Sequence, residues 1–346
     1  MKDRADLWRA AGEVAERDAV AALATVARQR GSLPMATDAK MLVVADGRRW
    51  GTVGGGCVEA DVTEQALGAA RSGTPVFVRH TLNADIAGDI GLSCGGTAVF
   101  FLEPLIPRMA ELYRAIGNAI ARRTPATVVT GTDWSRGPRK TAVVDGMSLM
   151  VGDALPHPAE ARRTPYVDER GGVFVEPVSR VPRVLIFGAG HVGAEIARVA
   201  AAVGFHVVIG DDRAEFANAE RVPWAHEVVV DRFQHMLDGM AFDEDDFVLA
   251  TTRGHSYDAY IVERTAASRA CYVGMLGSRR KRKVIWRALE GQGVPRAALE
   301  RVRSPIGLEI GADTPAEIAV SVVAELIQLR RLGGSSPLRE AERGQA

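Results

Sequence analysis

The chain has 346 residues, 47% of them apolar and 25% charged, with 43 basic residues balanced by 43 acidic ones. That is ordinary globular composition, long enough for two domains because a single core rarely grows past about 250–300 residues. The balanced charge supplies no basic field for nucleic acid, and no apolar run approaches the roughly 20 residues of a membrane span. The charged start Met1-Lys2-Asp3-Arg4 lacks the apolar centre of a signal peptide, so a cytoplasmic protein is expected. Three cysteines, Cys57, Cys94 and Cys271, are too few and too odd in number for a disulfide framework. No Cys-x-x-Cys or His-x-x-x-His spacing is present, so no metal site is expected.

In chain order, residues 3–17 read as an amphipathic helix carrying Leu7, Trp8, Ala11 and Val14, and residues 20–26 as a buried strand. Residues 40–44, the Asp46-Gly47 turn and residues 50–53 predict a hairpin. A triple glycine, Gly54-Gly55-Gly56, then leads through Cys57 into a helix over 58–71. Strands are expected at 76–81 and 98–102, around the loop Gly91-Leu92-Ser93-Cys94-Gly95-Gly96. A Pro-started helix over 107–122 and strands at 127–130 and 141–144 complete an N-terminal mixed α/β domain over 1–155. Prolines, Gly171-Gly172 and mixed charge mark 156–182 as a connection, with a short hairpin around Val173-Phe174-Val175 inside it.

From residue 183 the pattern changes. Strands at 183–187, 206–209, 247–250 and 271–273 alternate with helices at 192–203, 259–268, 280–290 and 315–330. That alternation predicts a parallel sheet with right-handed crossovers, a Rossmann-like domain over 183–333. Residues 334–346 are polar and expected to be a flexible tail. The fold class is therefore α/β in both parts.

The strand Val184-Leu185-Ile186-Phe187 runs directly into Gly188-Ala189-Gly190-His191-Val192-Gly193 and an alanine-rich helix. In a dinucleotide fingerprint the first glycine permits the turn, the second lets backbone approach a pyrophosphate, and the third lets helix and strand pack closely. The helix start adds free N–H groups and a partial positive charge. His191 fills a variable position of the motif. Asp211, 23 residues after Gly188, stands near the spacing of the acid that bonds a ribose hydroxyl. Ligands in such sheets lie beyond the carboxyl ends of the strands. Thr251 to Asp258 and Gly277 to Lys283 belong at that edge, which nominates His255 as an acid–base group and Ser278, Arg279 and Arg280 as anion ligands.

Gly54, Gly55 and Gly56 form a second strand-to-helix glycine loop, and their entropic cost suggests close approach to an anion. Cys57 would begin the helix, where the positive end of the dipole favours a thiolate. Glu59 is either a first-turn charge or a participant. Cys94, also flanked by glycine, is the second candidate thiol, and Cys271, opening an apolar strand, is expected to be buried and structural.

These motifs together resemble the xanthine dehydrogenase accessory factor family, XdhC/CoxI. The resemblance rests on Gly31-Ser32-Leu33-Pro34, Ala39-Lys40-Met41, Gly54 to Glu59, Gly91 to Gly96, Gly188 to Val192, Thr252-Arg253-Gly254-His255, Tyr272 to Lys281, Ser304 to Gly311 and Thr314 to Ala319. Met35 and Asp38 depart from it, standing where the family usually has Arg and Gly. The resemblance implies a maturation factor that binds molybdenum cofactor, as molybdopterin or a dinucleotide form, promotes its sulfuration and delivers it to a molybdenum hydroxylase client. A cysteine desulfurase is the implied source of sulfur. A chaperone must dock its client, so a homodimer or a client complex is expected. The stripe Ile318, Val322, Leu326, Leu329 either serves that docking or covers the sheet. The competing readings are an NAD(P)-dependent oxidoreductase using His255, or a nucleotide-sensing regulator with no catalysis.

Overall fold

The computed structural model describes residues 4–31, 33, 35–82, 96–156, 164–178 and 180–332. The chain divides into two compact units, Met1–Arg180 and Val181–Ala346.

The first unit contains α1 (Arg4–Glu16), β1 (Ala21–Gly31), β2 (Lys40–Val44), β3 (Arg49–Gly51), α2 (Gly56–Ser72), β4 (Val76–Leu82) and β5 (Gly96–Pro104). They are followed by α3 (Ala110–Ala121), β6 (Ala126–Gly131), β7 (Lys140–Val144), β8 (Met147–Val151), β9 (Tyr166–Asp168) and β10 (Val173–Val178). Ten strands make two antiparallel sheets, β3-β2-β1-β5-β4 and β8-β7-β6-β10-β9. Strand alternation gives the first sheet two faces. On one, Ala22, Ala24, Val26, Met41, Val43 and Phe100 pack under Val62 and Ala66 of α2. On the other, Ala27 and Phe101 meet Phe174 of the second sheet.

Two buried ion pairs tie the sheets together. Lys40 of β2 meets Glu176 of β10 at 2.6 Å, and Lys140 of β7 meets both oxygens of Glu103 of β5 at 2.6 Å. Lys140 and Glu103 are 0% and 1% exposed, so each needs the other to offset desolvation. Tyr113 of α3 donates to Glu103 at 2.8 Å, and Lys40 Nζ lies 4.5 Å from the Trp8 ring centre of α1. Burial pushes the Lys40 pKa down against the pull of Glu176, and burial together with the Glu103 charge pushes the Tyr113 phenol well above its ordinary value.

The stretch 156–182 is more than a connection. It holds β9 and β10, and β10 pairs with both β6 and β9 across the second sheet. The Gly171-Gly172 pair belongs to the hairpin turn between β9 and β10, where Asp168 accepts from the backbone N–H groups of Arg170 and Gly171. Strand β8 is also additional to the expected elements. It follows a two-residue Asp145-Gly146 turn with both residues at positive φ (49° and 77°), the geometry that matches hairpin twist.

The second unit contains β11 (Arg183–Phe187), α4 (His191–Ala202), β12 (His206–Asp211), β13 (Glu227–Val230), α5 (Phe233–Leu237) and β14 (Asp246–Ala250). It continues with α6 (His255–Thr265), β15 (Tyr272–Met275), α7 (Arg279–Gly291), α8 (Arg296–Glu300) and α9 (Pro315–Leu332). Five parallel strands run in the order β13-β12-β11-β14-β15. The near-continuous apolar strands are covered on both faces, as parallel sheets require. Ala197 and Ala200 of α4 with Val322 and Leu326 of α9 cover one side, and Ile261 of α6 with Ile285 and Leu289 of α7 cover the other.

Val322, Leu326 and Leu329 are buried and Ile318 packs against the same core, so of the two readings of the α9 stripe the one in which it covers the sheet holds. One expectation is corrected. Cys271 is exposed, because it precedes β15 and only Tyr272 to Met275 turn inward. No described helix is long and apolar enough to cross a membrane.

Candidate functional site

The three glycines after β11 are required for different reasons. Gly188 stands at φ 114°, and a Cβ there would lie 2.5 Å from the Thr251 carbonyl oxygen at the end of β14. A Cβ on Gly193 would lie 1.9 Å from the Gly188 carbonyl oxygen, so this glycine lets α4 close onto the turn. Gly190 has an ordinary φ of −64°, and nothing lies within 4 Å of the place its Cβ would occupy. Neither backbone strain nor packing demands a glycine there, and the space in front of this N-cap is open. His191 opens α4 and is exposed beside this space.

The neighbouring strand ends supply charge. Asp211 at the end of β12 is buried, and its carboxylate is already engaged. It accepts from the Ala189 N–H of the glycine loop at 2.8 Å and from the Arg213 guanidinium at 2.8 Å. Burial opposes its ionisation, but the bonds from Arg213 and Ala189 outweigh it, and its pKa falls below the ordinary carboxyl value. The predicted ribose acid therefore acts first as a brace for the loop. Asp212 pairs in bidentate fashion with Arg253, at 2.8 and 2.9 Å. Because β12 and β14 flank β11, this pair reaches across the sheet edge beyond the glycine loop. Sequence reading placed Arg253 at this edge but assigned it no role, and passed over Asp212 and Arg213, although both follow Asp211 directly.

The other predicted residues at this edge are more dispersed. His255 is the exposed first residue of α6, and its ring has no hydrogen-bond partner among the described residues. Ser278 caps α7, accepting from the Lys281 N–H at 3.2 Å. Arg279 turns to Glu309 at 3.0 Å, with both side chains largely exposed, and Arg280 is exposed. Lys281, which the sequence did not single out, points inward to buried Asp258 and to the Leu276 carbonyl. Asp258 in turn accepts from Thr252 Oγ1 at 2.7 Å and fixes the loop after β14.

In the first unit, Gly54, Gly55 and Gly56 all stand at positive φ (121°, 75° and 63°), so the backbone itself demands them. The loop already holds a carboxylate. Glu59 Oε2 accepts from Thr52 Oγ1 at 2.5 Å and from the N–H groups of Val53 and Gly55 at 3.3 Å each. Cys57 is exposed in the first turn of α2. Cys94 lies outside the described residues. Among the described residues, no group of three or more His, Cys, Asp or Glu side chains is arranged to hold a metal ion.

Two family models match the chain in succession, the XdhC and CoxI family over residues 14–81 and the XdhC Rossmann domain over residues 184–326. The chain belongs to the XdhC/CoxI family. It is 29% identical to a Bacillus subtilis (strain 168) protein described as a probable xanthine dehydrogenase subunit, over 90% of this chain and 93% of that one. It is 26% identical to the molybdenum cofactor insertion chaperone PaoD of Escherichia coli (strain K12), over 90% and 83%. A crystal structure described as a xanthine dehydrogenase from Bacillus halodurans superimposes with a TM-score of 0.80 at 28% identity, covering 97% and 98% of the two chains.

Proposed function

We propose that this XdhC/CoxI protein is a maturation factor that takes molybdenum cofactor as cargo, protects it, supports its sulfuration and delivers it to a xanthine dehydrogenase-type molybdenum hydroxylase. Family membership and the chaperone relative support the maturation role. The observation that carries the binding role is Gly190, whose missing side chain leaves open space at the head of α4 with no structural reason inside the protein. A pyrophosphate there would meet the N–H groups and partial positive charge of the helix start, which favours a dinucleotide form of the cofactor. Gly188 and Gly193 hold the turn, and Asp211 braces it. Arg253, His191 and Arg280 are the side chains proposed to complete the anion site.

Cys57 is the proposed working thiol. It is exposed at the head of a helix on a loop whose shape three glycines and Glu59 fix. A thiolate there suits contact with a soft metal or carriage of sulfur supplied by a cysteine desulfurase. Cys94 is proposed as its companion. The oxidoreductase reading would need a partner to orient His255, and its ring has no hydrogen-bond partner among the described residues. A homodimer loses its sequence argument with the burial of the α9 stripe.

The test is reconstitution. Full-length protein loaded with molybdenum cofactor is mixed with apo-hydroxylase, and activation is compared with that by free cofactor. The expected result is faster and more complete activation, reduced by Cys57→Ser. A native chain that releases no molybdopterin on denaturation and does not improve activation would overturn the proposal.

A further inference from the structure

Between the two sheets of the first unit, beyond the Phe101–Phe174 contact, lies an open cleft of about 490 Å³. That volume falls within the ordinary range of small-molecule sites. Neither glycine loop contributes to its lining. Phe77 on edge strand β4 stands at its wall, 37% exposed. Its ring is backed by Phe101 at 4.9 Å, and Phe101 by Phe174 at 4.8 Å, so Phe77 is the outer end of a packed aromatic column. A rigid ring with one side open is a stacking surface.

Two residues along β4, and so on the same face, Arg79 also lines the cleft. It is exposed and has no carboxylate partner among the described residues. Opposite, Asp168 ends β9. Its Oδ1 is fixed by the N–H groups of Arg170 and Gly171 at 3.1 and 3.2 Å, while Oδ2 has no partner among the described residues. Arg28 and Glu169 close the rim with a pair at 3.2 Å, exposed enough to exchange partners readily.

The lining therefore offers a stacking surface, an oriented carboxylate acceptor and an exposed guanidinium with no carboxylate partner among the described residues. A ligand that uses all three is a flat heteroaromatic ring with N–H donors on one edge and an anionic group on its side chain. We propose that this cleft binds a pterin phosphate, with the ring on Phe77, its amino-pyrimidine edge at Asp168 and its phosphate at Arg79. The inference rests on the proposed cargo, whose organic portion has this chemistry, and assigns the monophosphate form of that portion to the first unit, apart from the dinucleotide form proposed at the Gly190 loop.

The probe is 6-hydroxymethylpterin phosphate, titrated into the full-length protein and followed by pterin fluorescence, beside unphosphorylated 6-hydroxymethylpterin. Saturable binding of the phosphate is expected. Arg79→Ala should weaken it by about tenfold or more while leaving the unphosphorylated pterin nearly unaffected, because only the charge-assisted contact is lost. Asp168→Asn keeps the Oδ1 acceptor of the turn and should weaken both ligands by about tenfold. Absence of binding by the wild-type chain, or wild-type affinity in both variants, would overturn the assignment. Molybdopterin released from native wild-type protein, measured in parallel, separates this failure from failure of the cargo proposal. Cofactor retained equally by wild type and variants removes the cleft alone. A wild-type chain that binds the probe but carries no molybdopterin keeps the cleft and removes the cargo.

Discussion

In the loop before α2 every glycine stands at positive φ, and two of the loop's amides are bonded to Glu59. In the loop before α4 only Gly188 does so, Asp211 accepts from one of the loop's amides, that of Ala189, and Gly190 faces open space in an ordinary conformation. Both loops link a strand to a helix through three glycines, and both carry an internal carboxylate. The first uses its glycines to make a shape, which holds Cys57 at the helix start. The second uses two glycines for shape and keeps one clear. A glycine-rich turn thus becomes evidence for a ligand only at the position where neither φ nor packing demands the glycine.

The comparison can be broken by substitution. The largest effect is expected for Gly193→Ala, whose Cβ would overlap the Gly188 carbonyl. Denaturant unfolding should show a loss of about 3 kcal/mol, and a loss near zero would mean that α4 is not held by this contact. Next is Glu59→Ala, which strands the Val53 and Gly55 amides. It should cost about 2 kcal/mol and change the alkylation rate of Cys57; an unchanged rate would detach the thiol from the loop. Gly55→Ala comes third. With open space around it, only its backbone conformation at φ 75° and ψ −179°, a region essentially reserved for glycine, resists a side chain, which corresponds to about 1–2 kcal/mol.

The smallest effect concerns pH. Asp211 has its pKa lowered in the folded protein, so the stability it contributes is complete above its unfolded value of about 3.9 and is lost as pH falls through the folded value. Asp211→Asn should remove that part of the acid slope in pH-dependent unfolding. A variant with the wild-type slope would show that the carboxylate does not brace the loop.

Much of this organisation was legible in the sequence. The run from Val184 to Gly193 announced strand, turn and helix, because the apolar stretch Val184 to Phe187 and the three glycines each obey a local rule. The Gly54–Cys57 loop was visible for the same reason. What escaped was set by partners distant in sequence. Lys40 and Glu176, or Glu103 and Lys140, become a buried pair only when two sheets face each other, and nothing near any one of them announces it. The hairpin around Val173-Phe174-Val175 was visible, but not that its strand joins a five-stranded sheet through β6. Cys271 misled because an apolar strand begins one residue later. Among the site residues, Asp211 was found but its first partner is Ala189. Lys281 was passed over in a basic run, where only the fold shows that it turns inward to Asp258.

The central claim is that Gly190 is kept clear for a pyrophosphate-bearing cofactor, and Gly190→Val tests it most directly. The variant should unfold within about 1 kcal/mol of wild type, since its φ of −64° suits any residue and only the helix cap is weakened. Native protein of each kind is purified from cells making the cofactor, and the molybdopterin it releases on denaturation is measured. The account predicts a folded Gly190→Val chain with its cofactor content lost or reduced by about tenfold or more. A folded variant carrying as much cofactor as the wild type would contradict it.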